Sequence, residues 1–172
     1  IMPIIAPYNN YTSAKNISSS NLFSNNRATS ITEWESGPRV NYGLKWFLDN
    51  NNDTSLKITL GQSFRLNKND SDSTEELSDY YLSSNVDFKN NYLNNSIVFD
   101  RNNIDVKSIS MNTYSELYNL KLKIDYDYTS GKYATTNEQI AIGGKYNFED
   151  NLFLKFTGTK DIDTNKNIGY QF

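Results

Sequence analysis

The chain has 172 residues, a net charge of −3, 37% hydrophobic and 14% aromatic residues, and neither cysteine nor histidine. Without Cys there are no disulfides, thiolate metal centres or cysteine nucleophiles, and without His the usual general base and the Ser-His and Asp-His hydrolytic sets are gone. Basic residues are scattered singly, so no patch suggests nucleic acid.

The mean hydropathy of −0.70 is low for a soluble core. Disordered chains lack aromatics, however, and this one has 13 Tyr and 9 Phe. The low hydropathy therefore reads as a sheet with one polar face.

Residues 1–8 suggest a short strand, with Pro3 and Pro7 tolerated only at an edge or strand end. They carry no basic flank and only a short, Pro-interrupted apolar run, so they do not read as a signal peptide. No apolar run reaches the roughly eighteen residues of a transmembrane helix. Residues 9–36 are rich in Asn and Ser and read as a long loop. Within it, residues 21–27 (NLFSNNR) are apolar enough to fold back against a scaffold.

Residues 37–66 carry the clearest pattern. Val40, Tyr42, Leu44, Trp46 and Leu48 alternate with Arg39, Asn41, Gly43 and Lys45; Leu56, Ile58, Leu60, Phe64 and Leu66 alternate with Lys57, Thr59, Gly61, Ser63 and Arg65. A period of two predicts two strands, each with one apolar and one wet face. Asp49 to Asp53 favours a turn between them. Arms of about eleven residues exceed the usual ~5–6 and match the ~9–11 that a tilted strand needs to cross a bilayer.

Residues 67–76 form an acidic loop. Its Asp70, Asp72, Thr74 and Glu76 alternate like calcium ligands, but Glu75 stands where an EF-hand needs Gly and no closing Glu follows, so a solvated loop is the better reading.

Strand signals then recur at hairpin spacing. Tyr80, Leu82, Val86 and Phe88 make one stripe, with a turn at Asn90-Asn91; Leu93, Ile97 and Phe99 make a weaker one, with a turn at Asp100 to Asn103. Over residues 104–115, Ile104, Val106, Ile109 and Met111 change parity, which a bulge near Ser108 would reconcile. Leu120, Leu122, Ile124, Tyr126 and Tyr128 oppose Lys121, Lys123, Asp125 and Asp127. Ile140, Ile142, Tyr146 and Phe148 follow, then Leu152, Leu154 and Phe156 opposed by Phe153, Lys155 and Thr157, and last Ile168, Tyr170 and Phe172.

The predicted fold is all-β: an antiparallel up-and-down meander of about 9–10 long strands with no helical pattern. The links near 90–92, 101–103, 116–118 and 149–151 are short and those at 9–36, 67–78 and 129–137 longer, an imperfect alternation of the kind seen in transmembrane barrels. Periodicity cannot say whether the apolar stripe faces a core or lipid. Strand length and the aromatics near stripe ends (Tyr42, Trp46, Tyr80, Phe88, Tyr126, Tyr128, Tyr146, Phe148) favour lipid.

Four stretches carry a resemblance: residues 21–27 (NLFSNNR), 35–44 (ESGPRVNYGL), 60–66 (LGQSFRL) and 77–81 (LSDYY), preceded by MPIIAPYNN at 2–10. Their order resembles that in alphaproteobacterial LPS-assembly proteins, the LptD family, over about the first half of the chain. Beyond residue 100 the likeness is mostly one of pattern.

The resemblance implies a single outer-membrane β-barrel domain over 1–172, an incomplete segment of a larger transmembrane barrel in a Gram-negative cell. The family's signal sequence, periplasmic jellyroll domain and cysteines are not found in this sequence. The implied function is transport of lipopolysaccharide and its insertion into the outer leaflet, with a plug lipoprotein (LptE-like), periplasmic bridge components and membrane lipids as partners. No catalytic group, cofactor or metal is implied.

On that reading Arg39, Lys45, Lys57, Arg65, Lys121, Lys123 and Lys145 face a hydrated lumen, where cations would attract phosphate or carboxylate groups. Tyr42, Leu44, Trp46, Ile58, Leu60, Leu122, Ile124, Tyr126, Ile142 and Leu154 face lipid. A passive porin-like channel, or a soluble β-sheet binding module or adhesin, is the alternative.

Overall fold

The computed structural model describes residues 1–4, 21–24, 38–50, 53–66, 77–132, 134–149 and 152–171. Ten strands form one antiparallel sheet in chain order: β1 (Met2–Ile4), β2 (Arg39–Asn50), β3 (Thr54–Arg65), β4 (Tyr80–Phe88), β5 (Asn91–Phe99), β6 (Val106–Leu117), β7 (Leu120–Thr129), β8 (Asn137–Glu149), β9 (Leu152–Asp161) and β10 (Lys166–Gln171). The sheet is open, since β1 and β10 do not pair with each other. No helix occurs among the described residues.

The expected alternation sets the faces. Cross-strand partners share a face, so the register carries the apolar stripe from strand to strand: Leu44 lies opposite Leu60, Leu60 opposite Leu82, Leu82 opposite Ile97, Ile97 opposite Ile109, and Ile109 opposite Tyr128. Between β5 and β6 the register shifts, with Val98 opposite Ser108 and Phe99 opposite Val106. The extra residue is Lys107, next to the Ser108 that the parity change pointed to, and it returns Val106 and Ile109 to one face.

The connections sort by end. Residues 51–53, 89–90, 118–119 and 150–151 join strands at one end, and residues 5–38, 66–79, 100–105, 130–136 and 162–165 at the other. The alternation is therefore regular, because the link at 101–103 is part of a longer turn at the long-loop end.

Two hairpin turns fall off the Asn signals. Phe88 pairs with Asn91 and Leu117 with Leu120, leaving two-residue loops at Lys89-Asn90 and Tyr118-Asn119. Left-handed φ angles of 52° and 53° fall on Lys89 and Tyr118, residues that carry no turn signal. Asp49 and Asn50 extend β2, and the turn closes at Asp53 with φ 59°. At the far edge a register shift between Asn167 and Gly169 interrupts the last stripe at Ile168.

The hairpin ends are staggered. The row through Asn50, Thr54, Phe88 and Asn91 touches the first two short turns, yet continues through Ser115, Leu122, Gly144 and Phe156, above the turns of the later hairpins. Accumulated stagger is what strand tilt in a closing barrel produces.

Burial is inverted relative to a soluble domain. Among the described residues the buried apolar ones are Ile4, Leu22 and Tyr81, whereas Arg39, Asn41, Thr59, Gln62, Ser63, Ser83 and Asp100 are buried and polar. The apolar stripe stays open: Leu44 is 73% exposed and Trp46 53%. A soluble two-layer fold would cover that face with a second layer.

Candidate functional site: the polar face

The seven cations expected to share one face do so. Arg39 lies opposite Arg65, Lys45 opposite Thr59, Lys57 opposite Phe47 and Asn85, and Lys121 opposite Lys145, with Lys123 two residues along β7. The ten residues expected on the other face, Tyr42, Leu44, Trp46, Ile58, Leu60, Leu122, Ile124, Tyr126, Ile142 and Leu154, also share it. That face is not wholly apolar: Tyr42 hydrogen-bonds the buried Gln62, which donates to the Ser78 carbonyl at 2.7 Å. At mid-strand, Ser84 and Asn95 interrupt the stripe and bond each other through the Ser84 N–H.

A short turn closes over the polar face of β2 and β3. Residues 21–24 form it, with Ser24 N–H bonded to the Asn21 carbonyl at 2.9 Å. Gly43 and Gly61 face each other across the two strands, and the missing side chains leave a notch. Leu22 fills it and is fully buried; a Cβ on Gly61 would fall inside contact with the Leu22 side chain. Arg39, itself 1% exposed, reaches the Ser24 carbonyl with Nη2 at 3.4 Å. One row from the notch, Ser63 Oγ donates to Asn41 Oδ1 at 2.7 Å. The fold-back expected of residues 21–27 is thus present over 21–24; residues 25–27 lie outside the described residues, as does the acidic loop at 67–76.

Arg39 and the lysines of β7 are not equivalent attractors. Arg39 is engaged under the turn. Lys121 pairs with Glu116 at 3.1 Å, and Lys123 with Asp125 at 2.9 Å. The polar wall is of mixed charge and largely self-neutralised on β6 and β7, whereas Lys45 and Lys57 form no ion pair among the described residues. One cation that composition alone did not single out is Lys155, which lies directly opposite Lys145. Its signal is cross-strand register, which a period of two along one strand does not contain.

The long-loop end is tied by a polar knot. Lys107, aimed by the bulge, bonds Asp79 at 2.8 Å and Asp100 at 3.2 Å, and Arg101 Nη1 donates to the Leu77 carbonyl at 2.6 Å. Burial pushes the Asp100 carboxyl up, but N–H bonds from Asn102 and Asn103 and the Lys107 ammonium outweigh it and hold it below the usual carboxylate value. Lys132 pairs with Asp105 at 2.6 Å, joining two connections of the same end. Among the described residues no cluster of carboxylates could hold a metal ion.

A tilted meander, an uncovered apolar face, a polar face partly buried under its own chain, and loops long at one end and short at the other define the class: an incomplete segment of an antiparallel β-barrel wall. The family model described as "LptD: LPS transport system D" matches residues 6–152, and the chain belongs to the LptD family. This is a family of lipopolysaccharide-transport proteins of the Gram-negative outer membrane, and not an enzyme family. A search of curated proteins found no match.

Proposed function

We propose that this chain forms part of the transmembrane barrel that carries lipopolysaccharide across the outer membrane and inserts it into the outer leaflet. Residues 1–172 belong to one barrel domain in this reading, of the alphaproteobacterial type, with further strands completing the wall. The stripe of Leu44, Trp46, Ile58, Leu60, Leu122, Ile124 and Ile142 faces lipid, and the face bearing Lys45, Lys57, Lys121, Lys123 and Lys145 faces a hydrated lumen.

The short turns lie on the periplasmic side, where bridge components deliver lipid, and the long connections on the outside. A plug lipoprotein (LptE-like) occupies the lumen. The observation that carries the reading is the inverted burial: polar side chains covered and large apolar ones open, which suits a wall with lipid outside and water within.

Transport here needs no bond chemistry. The wall supplies a hydrated path for sugars and phosphates and a closed backbone ladder against lipid. The test is depletion of the full-length protein in its own host, with newly made lipopolysaccharide assayed at the surface and inside. Accumulation inside supports the reading. Normal surface delivery after complete depletion refutes it.

A further inference from the structure

Three lysines stand in one row of the polar face. Glu116 lies opposite Lys121, Lys121 opposite Lys145, and Lys145 opposite Lys155, across β6, β7, β8 and β9. Directly opposed side chains have Cβ atoms about 4.5–5.5 Å apart, and like charges so placed are destabilising. One row toward the long-loop end, Lys123, Gly143 and Thr157 are aligned. Gly143 contributes no side chain, and the atom nearest to a Cβ built there is Thr157 Cγ2 at 3.4 Å. The result is a notch floored by backbone, flanked by Lys123 and the Thr157 methyl in its own row and by Lys121, Lys145 and Lys155 in the next.

Two of those charges are answered within the chain: Glu116 binds Lys121 and Asp125 binds Lys123. Among the described residues no carboxylate pairs with Lys145 or Lys155. The Lys145 ammonium instead lies 4.1 Å from the centre of the Phe153 ring, and Phe153, 53% exposed, is a large apolar group on the wet face. A groove beside it, along β9 and β10, is lined by Phe153, Leu154, Lys155, Thr157 and Gln171. Uncompensated like charges beside an open notch, with an aromatic in the next row beyond them, are the complement of an oxyanion borne on an amphipathic molecule.

We propose that the Gly143 notch binds a phosphate or carboxylate group of an anionic glycolipid passing along the polar wall, held by Lys145 and Lys155 with Phe153 against its apolar part. The proposal rests on the lumen reading above and deepens it. The row lies beside the 118–119 turn, at the short-turn end, so the site is an entry position on the periplasmic side.

The experiment uses the full-length protein in detergent and three probes: lipopolysaccharide from the host, the same lipopolysaccharide after enzymatic dephosphorylation, and phosphatidylglycerol. Lys145→Gln combined with Lys155→Gln should weaken binding of the phosphorylated glycolipid at least tenfold and leave binding of the dephosphorylated one unchanged. Equal loss toward both glycolipid probes assigns the anion to the molecule's carboxylates and keeps the site.

Unaltered binding of phosphorylated lipopolysaccharide by the double variant overturns the site while the transport reading stands. A lysine-dependent loss seen with phosphatidylglycerol alone overturns the glycolipid assignment. If the unaltered protein binds no lipopolysaccharide at all, the transport reading falls with it.

Lys155→Glu separates a ligand role from a structural one. It places a carboxylate opposite Lys145, so the unfolding midpoint should rise while glycolipid binding falls at least tenfold. A lower midpoint with undiminished binding refutes the proposal.

Discussion

Replacing Leu22 by Ala should lift the 21–24 turn from the polar wall without unfolding the barrel. Burying a Leu side chain contributes about 1.5–3 kcal/mol. Opposing it, the hydroxyls of Thr59 and Ser83, cross-strand neighbours on the same face, are buried with no hydrogen-bond partner among the described residues, each at a cost of about 1–3 kcal/mol. Only with the Arg39–Ser24 bond, which adds about 1.5–3 kcal/mol as a hydrogen bond to a charged group, do the gains offset the costs, so the cover is held by a small margin.

Leu22→Ala removes about 2 kcal/mol of apolar burial and shifts the cover toward open by roughly thirtyfold, since about 1.4 kcal/mol is tenfold. The assay introduces Thr59→Cys in the full-length protein, which has Thr59 fully buried one row from the notch, and follows its reaction with a water-soluble maleimide. Labelling should accelerate more than tenfold in the Leu22→Ala background. Equal rates in both backgrounds, with equal folded fractions, would refute the argument that Leu22 holds the cover.

Gly43→Ala acts first on the strands, because its Cβ would meet the Leu60 carbonyl and the Gly61 backbone; overpacking of this kind should lower the stability measured in urea by about 1–3 kcal/mol, and no change would show that the two strands can part. Leu44→Arg on the apolar face should cost about 2–4 kcal/mol in lipid vesicles, whereas Ser96→Lys on the polar face should stay within about 0.5 kcal/mol; equal costs would undo the assignment of faces. Ile104 is β-branched and held at φ 59°, so Ile104→Gly should stabilise the 100–105 turn by about 1 kcal/mol, and a loss of stability would contradict the strain argument. Because the folded Asp100 carboxyl titrates below its ordinary value of 3.8, its contribution is present above that value and is lost as pH falls through the folded one. The midpoint difference between the unaltered protein and Asp100→Asn should accordingly vanish in strong acid, and a difference that persists there would count against the ion-paired role.

Much of this architecture is legible along a single strand. Alternation through Val40–Leu48 and Leu56–Leu66 predicts both arms of the first hairpin and the side on which every residue stands, because a two-residue period leaves no freedom once pairing begins. The parity change between Val106 and Ile109 predicts a bulge for the same reason, and the extra residue is Lys107. Turn positions are less legible where the left-handed residue is Lys89 or Tyr118, since neither side chain favours that backbone and the strands on either side impose it.

What alternation does not contain is which residues become neighbours across strands. Lys121, Lys145 and Lys155 are ordinary wet-face lysines when read singly. Only the register of β7, β8 and β9 aligns them in one row, and only the absence of a side chain at Gly143 opens the space above it. The same holds for Leu22, an unremarkable loop residue until Gly43 and Gly61 fall opposite each other and make room for it. Both features are products of pairing, so a change of one residue in register would erase them while leaving every strand's own pattern intact.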